Sequence, residues 1–215
     1  MMDQSGEKNT MALRKMAKKI ALFLHIHAAL RNIFESIKNS FRYRSILKKN
    51  IASILEYKAK FPYGTFIETG THKGNMIAAM RDRFDTIYSI ELGDELYARA
   101  KERFAHDPHI TLLHGDSGIV LPELLQEITV PSLFWLDAHY SQGETVRGQE
   151  DTPIERELRA ILEHPVKNHV IMVDDARCFD GTHGYPTTEA IRTMATNHGY
   201  LFETKDDNFR LYPHT

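Results

Sequence analysis

The sequence predicts an α/β fold: a doubly wound, mostly parallel seven-stranded sheet with a terminal antiparallel hairpin, preceded by an N-terminal helical extension. Three observations predict it. From residue 65 onward, short runs rich in β-branched and aromatic residues alternate with segments of helical period, the order of successive βαβ units in a sheet covered on both faces. The last two runs are separated only by "TKDDN", too short for a crossover and suited to a hairpin. Before residue 61 the apolar residues keep to helical spacing, with no strand-like run.

Residues 1–10 are polar and carry no predicted element. Leu13, Met16, Ile20, Leu24, Leu30, Phe34, Ile37 and Phe41 then recur at roughly helical intervals and predict one or two amphipathic helices. A further helix is predicted over 45–59, stopped by "FPYG". Residues 1–60 therefore form the extension, read as a cap on the main domain or on a second subunit, and 61–215 the main domain. Homo-oligomerisation through these helices is the expectation. Strands are predicted at 65–68, 86–91, 109–114, 132–137, 169–174, 200–203 and 209–213. Helices are predicted at 75–84, 94–105, 118–128, 153–163 and 187–198.

Bulk properties narrow the partners. With 215 residues, 42% of them hydrophobic and 26% charged, the chain suits one well-buried domain plus a modest extension. A formal net charge of −2 supplies no field that would favour nucleic acid. Cys178 is the single cysteine, which excludes an internal disulfide or a multi-thiolate zinc cage and agrees with a reducing, cytoplasmic setting. Lys15, Lys18 and Lys19 precede the apolar stretch "IALFLHIHAAL", but a spanning helix needs about 20 mostly apolar residues, and this run holds two histidines and stops at Arg31. No membrane span is expected.

In an open α/β sheet, ligands bind beyond the carboxyl ends of the strands. Acids stand at nearly every one of those ends here: Glu68, Glu91, Asp116, Asp137, Asp174 and Asp175. "ETGTHKG" places Thr69, Gly70, Thr71 and Gly74 directly after Glu68. Its G-x-x-x-G spacing differs from the dinucleotide pattern G-x-G-x-x-G, which argues against a nicotinamide-dependent reductase, and Glu68 would repel a diphosphate but accept from an ammonium group. Glu91, followed by Leu92, closes the next strand 23 residues later, the separation expected of a carboxylate that takes both hydroxyls of a ribose. Asp116 and Ser117 follow the third strand, where an adenine edge would lie. Together these features suggest a nucleoside that carries a positive charge.

Over residues 65–213 the chain resembles the class I, Rossmann-like S-adenosylmethionine (SAM) dependent methyltransferases. The resemblance implies that Glu68, Thr69, Gly70, Thr71 and Gly74 hold the methionine portion of SAM. It likewise implies that Glu91 and Leu92 bind the ribose and that Asp116 and Ser117 lie beside the adenine.

"LDAHYSQGET" and "IMVDDAR" bring Asp137, Asp174 and Asp175 to neighbouring strand ends, a hard-oxygen set suited to Mg2+, Mn2+ or Ca2+. The same aspartates could instead cap loops or form salt bridges. In this feature the chain is similar to the metal-dependent O-methyltransferases of the catechol and macrocin or mycinamicin types. That similarity implies a divalent metal, most simply Mg2+, at Asp137, Asp174 and Asp175. The catechol type has a lysine base three residues after its first metal aspartate, whereas this chain has Tyr140 there, so His139 becomes the candidate base. A second role for His139, supporting a ligand or packing in the core, stays open. Residues 141–153 are polar and glycine-containing and read as a lid. Arg177, His183 and Tyr185 are candidates to line an acceptor pocket.

The expected function is thus metal-assisted O-methylation of a small-molecule hydroxyl, with Asp137 and His139 at the reacting centre. A metal-dependent hydroxylase on the same fold and a non-catalytic SAM-binding or assembly protein are the alternatives.

Overall fold

The computed structural model describes residue 35 and residues 38–137 and 152–214. Contacts group the chain into Met1–Lys48 and Lys49–Thr215. Helix α1 is described over residues 38–60. The separate helix expected at 45–59 therefore begins earlier, because neither proline nor glycine occurs between 38 and 60 to stop it. The remaining residues of the predicted extension lie outside the described residues.

The second unit alternates β1 (Thr65–Thr69), α2 (Asn75–Met80), β2 (Thr86–Glu91), α3 (Asp94–Arg103), β3 (Ile110–His114), α4 (Ser117–Leu125) and β4 (Leu133–Leu136). It continues with α5 (Ile154–Glu163), β5 (Val170–Val173), α6 (Thr188–Asn197), β6 (Leu201–Lys205) and β7 (Asn208–Tyr212), with a 3-10 turn at Ala176–Cys178. The seven-stranded sheet has the order β3-β2-β1-β4-β5-β7-β6. β1 to β5 are mutually parallel, while β7 runs antiparallel to both β5 and β6. This is the Rossmann-like methyltransferase fold with its terminal hairpin. Strand order reverses between β1 and β4, which opens a crevice at their carboxyl ends.

Local sequence accounts for these elements. α3 starts on Asp94 and Glu95 and ends on Lys101 and Arg103, each matched to the adjacent pole of the helix dipole. Thr187 caps α6 by accepting from the Ala190 amide at 3.1 Å. In α5, Ile154, Leu158, Ile161 and Leu162 fall on one stripe and are all buried.

Strand alternation then sorts the two faces. Ile67, Ile90, Phe134, Leu136, Ile171, Val173, Phe209 and Leu211 share one core with residues of α4, α5 and α6. The opposite face meets residues 49–60 of α1, where Tyr57 packs edge-on against Tyr212 at 5.1 Å and Ser53 accepts from Arg210 at 2.8 Å. Arg210 is 0% exposed and also faces Glu56, Glu203 and Asp206, so a buried cation joins the helix to the hairpin.

Candidate functional site

The β1–α2 loop is built by left-handed turns. Gly70, His72 and Gly74 have φ of 85°, 48° and 68°. A side chain at Gly74 would put Cβ 2.7 Å from Cε2 of Phe104, so only glycine satisfies both the backbone and the neighbouring ring. The amides of Gly70 and Thr71 both donate to the Ile90 carbonyl, at 3.0 and 3.2 Å, and draw the loop onto the end of β2.

Parallel register places Glu68 opposite Ser89. The Ser89 hydroxyl donates to Glu68 Oε2 at 2.6 Å and lies 2.6 Å from the Thr71 hydroxyl, forming a buried relay into the loop. Burial pushes the Glu68 pKa well above the usual carboxylate range; the Ser89 bond opposes this, and the charges of Asp137 and Glu91 add to it.

Glu91 ends β2 and is almost wholly buried. Its Oε2 accepts from the His72 amide at 2.7 Å and its Oε1 from the Gly93 amide at 2.8 Å. These bonds fix the carboxylate and leave one lone pair on each oxygen, the acceptor pattern that two vicinal hydroxyls require. Leu92, half-buried, follows directly. Asp116 caps α4 by accepting from the Gly118 amide at 2.8 Å, and its second oxygen lies 3.6 Å from Arg156. Ser117 is buried at the first position of that helix. The first three sequence motifs therefore converge on the carboxyl edge of β1, β2 and β3.

At the crevice, the Asp137 amide donates to the Thr69 carbonyl and the Asp174 amide to the Leu136 carbonyl, both at 3.0 Å. These bonds bring the two acids to adjacent strand ends. The Asp174 and Asp175 side chains are held by donors from the protein itself. Asp174 Oδ1 accepts from both Asn208 Nδ2 and the Asp175 amide at 2.8 Å, while its Oδ2 accepts from Asn50 Nδ2 at 2.8 Å. Asp175 sits in the left-handed region, φ 57°, and its Oδ1 pairs with Arg177 at 2.6 Å. Arg177 also pairs with Asp207. Among the described residues no three His, Cys, Asp or Glu side chains are grouped to hold a metal ion. Amide and guanidinium donors hold Asp174 and Asp175 in this arrangement, the partners that the capping and salt-bridge reading requires.

Tyr185 packs edge-on against Phe179 at 5.1 Å. Burial raises the pKa of its phenol, and the charges of Cys178, Asp175 and Asp137 push it the same way while Arg177 opposes them. Arg177 is committed to its two aspartates. His139, Tyr140 and nearly all of the 141–153 segment lie outside the described residues.

Sequence reasoning missed three site residues. Asn50 and Asn208 reach Asp174 from 124 and 34 residues away, and nothing local marks them. Glu157 did carry a signal, since it interrupts the apolar stripe of α5.

No protein-family model matches the chain, and no curated protein sequence does. Solved structures match in fold. The methyltransferase domain of bacterial CtHen1 aligns with a TM-score of 0.53 at 11% identity, covering 79% of this chain and all of that one. The N-methyltransferase NodS from Bradyrhizobium japonicum aligns with a TM-score of 0.52 at 14% identity, over 79% and 98% of the two chains. SAM-bound CalS10, an amino pentose methyltransferase from Micromonospora echinaspora, gives 0.52 at 13% identity, over 78% and 90%. These structural neighbours are class I SAM-dependent methyltransferases.

Proposed function

We propose that this protein is a SAM-dependent methyltransferase acting on a hydroxyl of a small molecule. The observation that carries the cofactor part is Glu91, a buried strand-end carboxylate that two backbone amides hold with one acceptor site left on each oxygen. The left-handed glycine loop and Glu68 stand beside it, suited to the amino-acid end of the same ligand. SAM would supply an activated sulfonium methyl group. The methyl carbon passes from sulfur to the acceptor oxygen, and the hydroxyl proton leaves to a base.

The chain's own contribution is positioning and exclusion of water. Asp137 faces the crevice between β1 and β4 and orients the acceptor, Tyr185 lines its edge, and His139 is the base of this reading. The SAM bound in the structural neighbour CalS10 supports SAM as the donor, and the acid-rich crevice favours a neutral or cationic acceptor. No step is routed through a metal, and the donors on Asp174 and Asp175 support a structural part for these two acids.

Calorimetry with S-adenosylhomocysteine tests the cofactor. Micromolar binding that is lost in Glu91→Ala and Gly70→Val supports the reading, and unchanged binding in those variants removes it. Product analysis separates methylation from hydroxylation, and cofactor binding with no turnover over a broad acceptor panel would favour the non-catalytic alternative.

A further inference from the structure

Glu157 has no place in the reading above. It lies in the apolar stripe of α5 at 0% exposure, and neither carboxyl oxygen makes a hydrogen bond of good geometry. Thr69 Oγ1, at the end of β1, is likewise buried without a partner. The hydroxyls of Ser117, the first residue of α4, and of Thr69 lie close enough to the Glu157 carboxyl to lower its pKa as hydrogen-bond donors. A buried carboxyl thus stands between the two loops assigned to the methionine and adenine ends of the cofactor. A leucine or methionine would complete the stripe without burying a polar group, so the acid is not explained by packing.

We propose that Glu157 is a positioning residue of the cofactor site, joining Thr69 of the β1 loop to Ser117 of α4, and that it does this in its neutral acid form. The inference rests on the SAM reading. A neutral carboxyl can donate to one hydroxyl and accept from the other, which sets both loops in one arrangement; the carboxylate can only accept. Burial raises the Glu157 pKa to about 7, the Ser117 and Thr69 hydroxyls draw it down, Asp116 raises it and Arg156 lowers it. Asp116 at the cap of α4 and Arg156 on α5 are the charged groups that face it, and β1 contributes only the Thr69 hydroxyl. Cofactor affinity should therefore fall as pH rises through neutrality.

The test is calorimetric binding of S-adenosylhomocysteine to the full chain between pH 6 and 8.5, with thermal melts as a check on folding. Wild-type affinity is expected to drop about fivefold over that range, from loss of the donor on ionisation. Glu157→Gln, always neutral and able to donate and accept, keeps the acid-side affinity and loses the pH dependence. Glu157→Leu, which can do neither, binds about fivefold or more weakly at every pH. A Glu157→Gln variant with the wild-type pH profile overturns the proposal and leaves the cofactor reading standing. A wild-type protein that binds no S-adenosylhomocysteine at any pH overturns both. Should Glu157→Leu not fold, the carboxyl carbon resonance of Glu157 in the wild type decides: a shift on adding S-adenosylhomocysteine supports the coupling, and no shift refutes it.

Discussion

The backbone amide of His72 donates to Oε2 of Glu91 at 2.7 Å, so the acid that ends β2 also sets the shape of the loop that follows β1. Glu91→Gln turns one acceptor into a donor that must face either His72 or Gly93. The expected loss is about 1–3 kcal/mol of stability and at least about tenfold in S-adenosylhomocysteine affinity. Denaturant unfolding and calorimetry measure the two separately. A variant that loses stability but keeps wild-type affinity would assign Glu91 to loop construction alone.

Gly74 and Phe104 make a steric pair across α2 and α3. Gly74→Ala meets both a φ of 68° and a ring atom 2.7 Å from the new Cβ, so it should cost about 2–3 kcal/mol. Phe104→Leu is also destabilising alone, by about 1 kcal/mol, but relieves the contact. In a double-mutant cycle the pair should be less destabilising than the sum of the two singles. Strict additivity would show that backbone strain, not the ring, excludes side chains there.

The three donors around Asp174 predict a structural carboxylate. Asn208→Ala removes one amide and should destabilise by about 1–3 kcal/mol. Neither EDTA nor millimolar Mg2+ should move the melting temperature of the wild type. A cation held at this site would instead raise it with concentration, by mass action. A Mg2+-dependent rise in melting temperature that disappears in Asp174→Ala would reinstate the metal.

Two buried groups give stability opposite dependences on pH. Glu157 has its pKa raised by burial to about 7, so the stability it contributes is full below its ordinary pKa and is lost as pH rises toward 7. His169 has its pKa lowered to about 4, by burial first and then by His164, so its contribution is full above its ordinary pKa and is lost as pH falls toward 4. Each gap corresponds to roughly 3 kcal/mol. Relative to wild type, Glu157→Gln should gain stability as pH rises from about 4.5 to 7. His169→Gln should gain relative to wild type as pH falls from about 6.5 to 4. Urea titrations at stepped pH give both difference curves, and a flat curve for either variant would remove that group from the account.

The hydrogen bonds near His169 also fix its tautomer. Nδ1 accepts from the Ser132 amide at 3.1 Å, so Nε2 carries the proton and faces His164 Nδ1 at 3.4 Å. His164 then donates from Nε2 to the Leu125 carbonyl at 2.8 Å. Both ring nitrogens of neutral His169 thus face partners, while burial is the main reason its protonation is resisted.

The strands were legible because each is a short apolar run with turn residues on both sides, and all seven lie within a residue or two of their expected spans. The placement of Glu68, Glu91 and Asp116 was legible for a related reason: in a parallel sheet, a polar residue that ends an apolar run falls at the carboxyl edge. The fate of Asp174 was not legible, since its partners Asn50 and Asn208 come from α1 and β7 and meet it only through the folded topology. Glu157 was half legible. Its position in the α5 stripe marks it as a buried acid, but its neighbours Thr69 and Ser117 come from elements that local periodicity does not connect.

β7 is the final strand in the chain yet takes an interior place, between β5 and β6. On the ribosome, β5 emerges ahead of that partner: Asp174 precedes Asn208 by 34 residues, roughly 2 to 7 seconds at ordinary synthesis rates. Through that interval the edge of "VIMV" is unpaired, a short apolar template for wrong partners and a natural client for a chaperone. Closing the hairpin ends the hazard and delivers Asn208 to Asp174 in the same event. The crevice is therefore finished only when the sheet is, and a nascent chain stalled before residue 208 would carry the loops after β1 and β2 but not the Asn208 contact to Asp174.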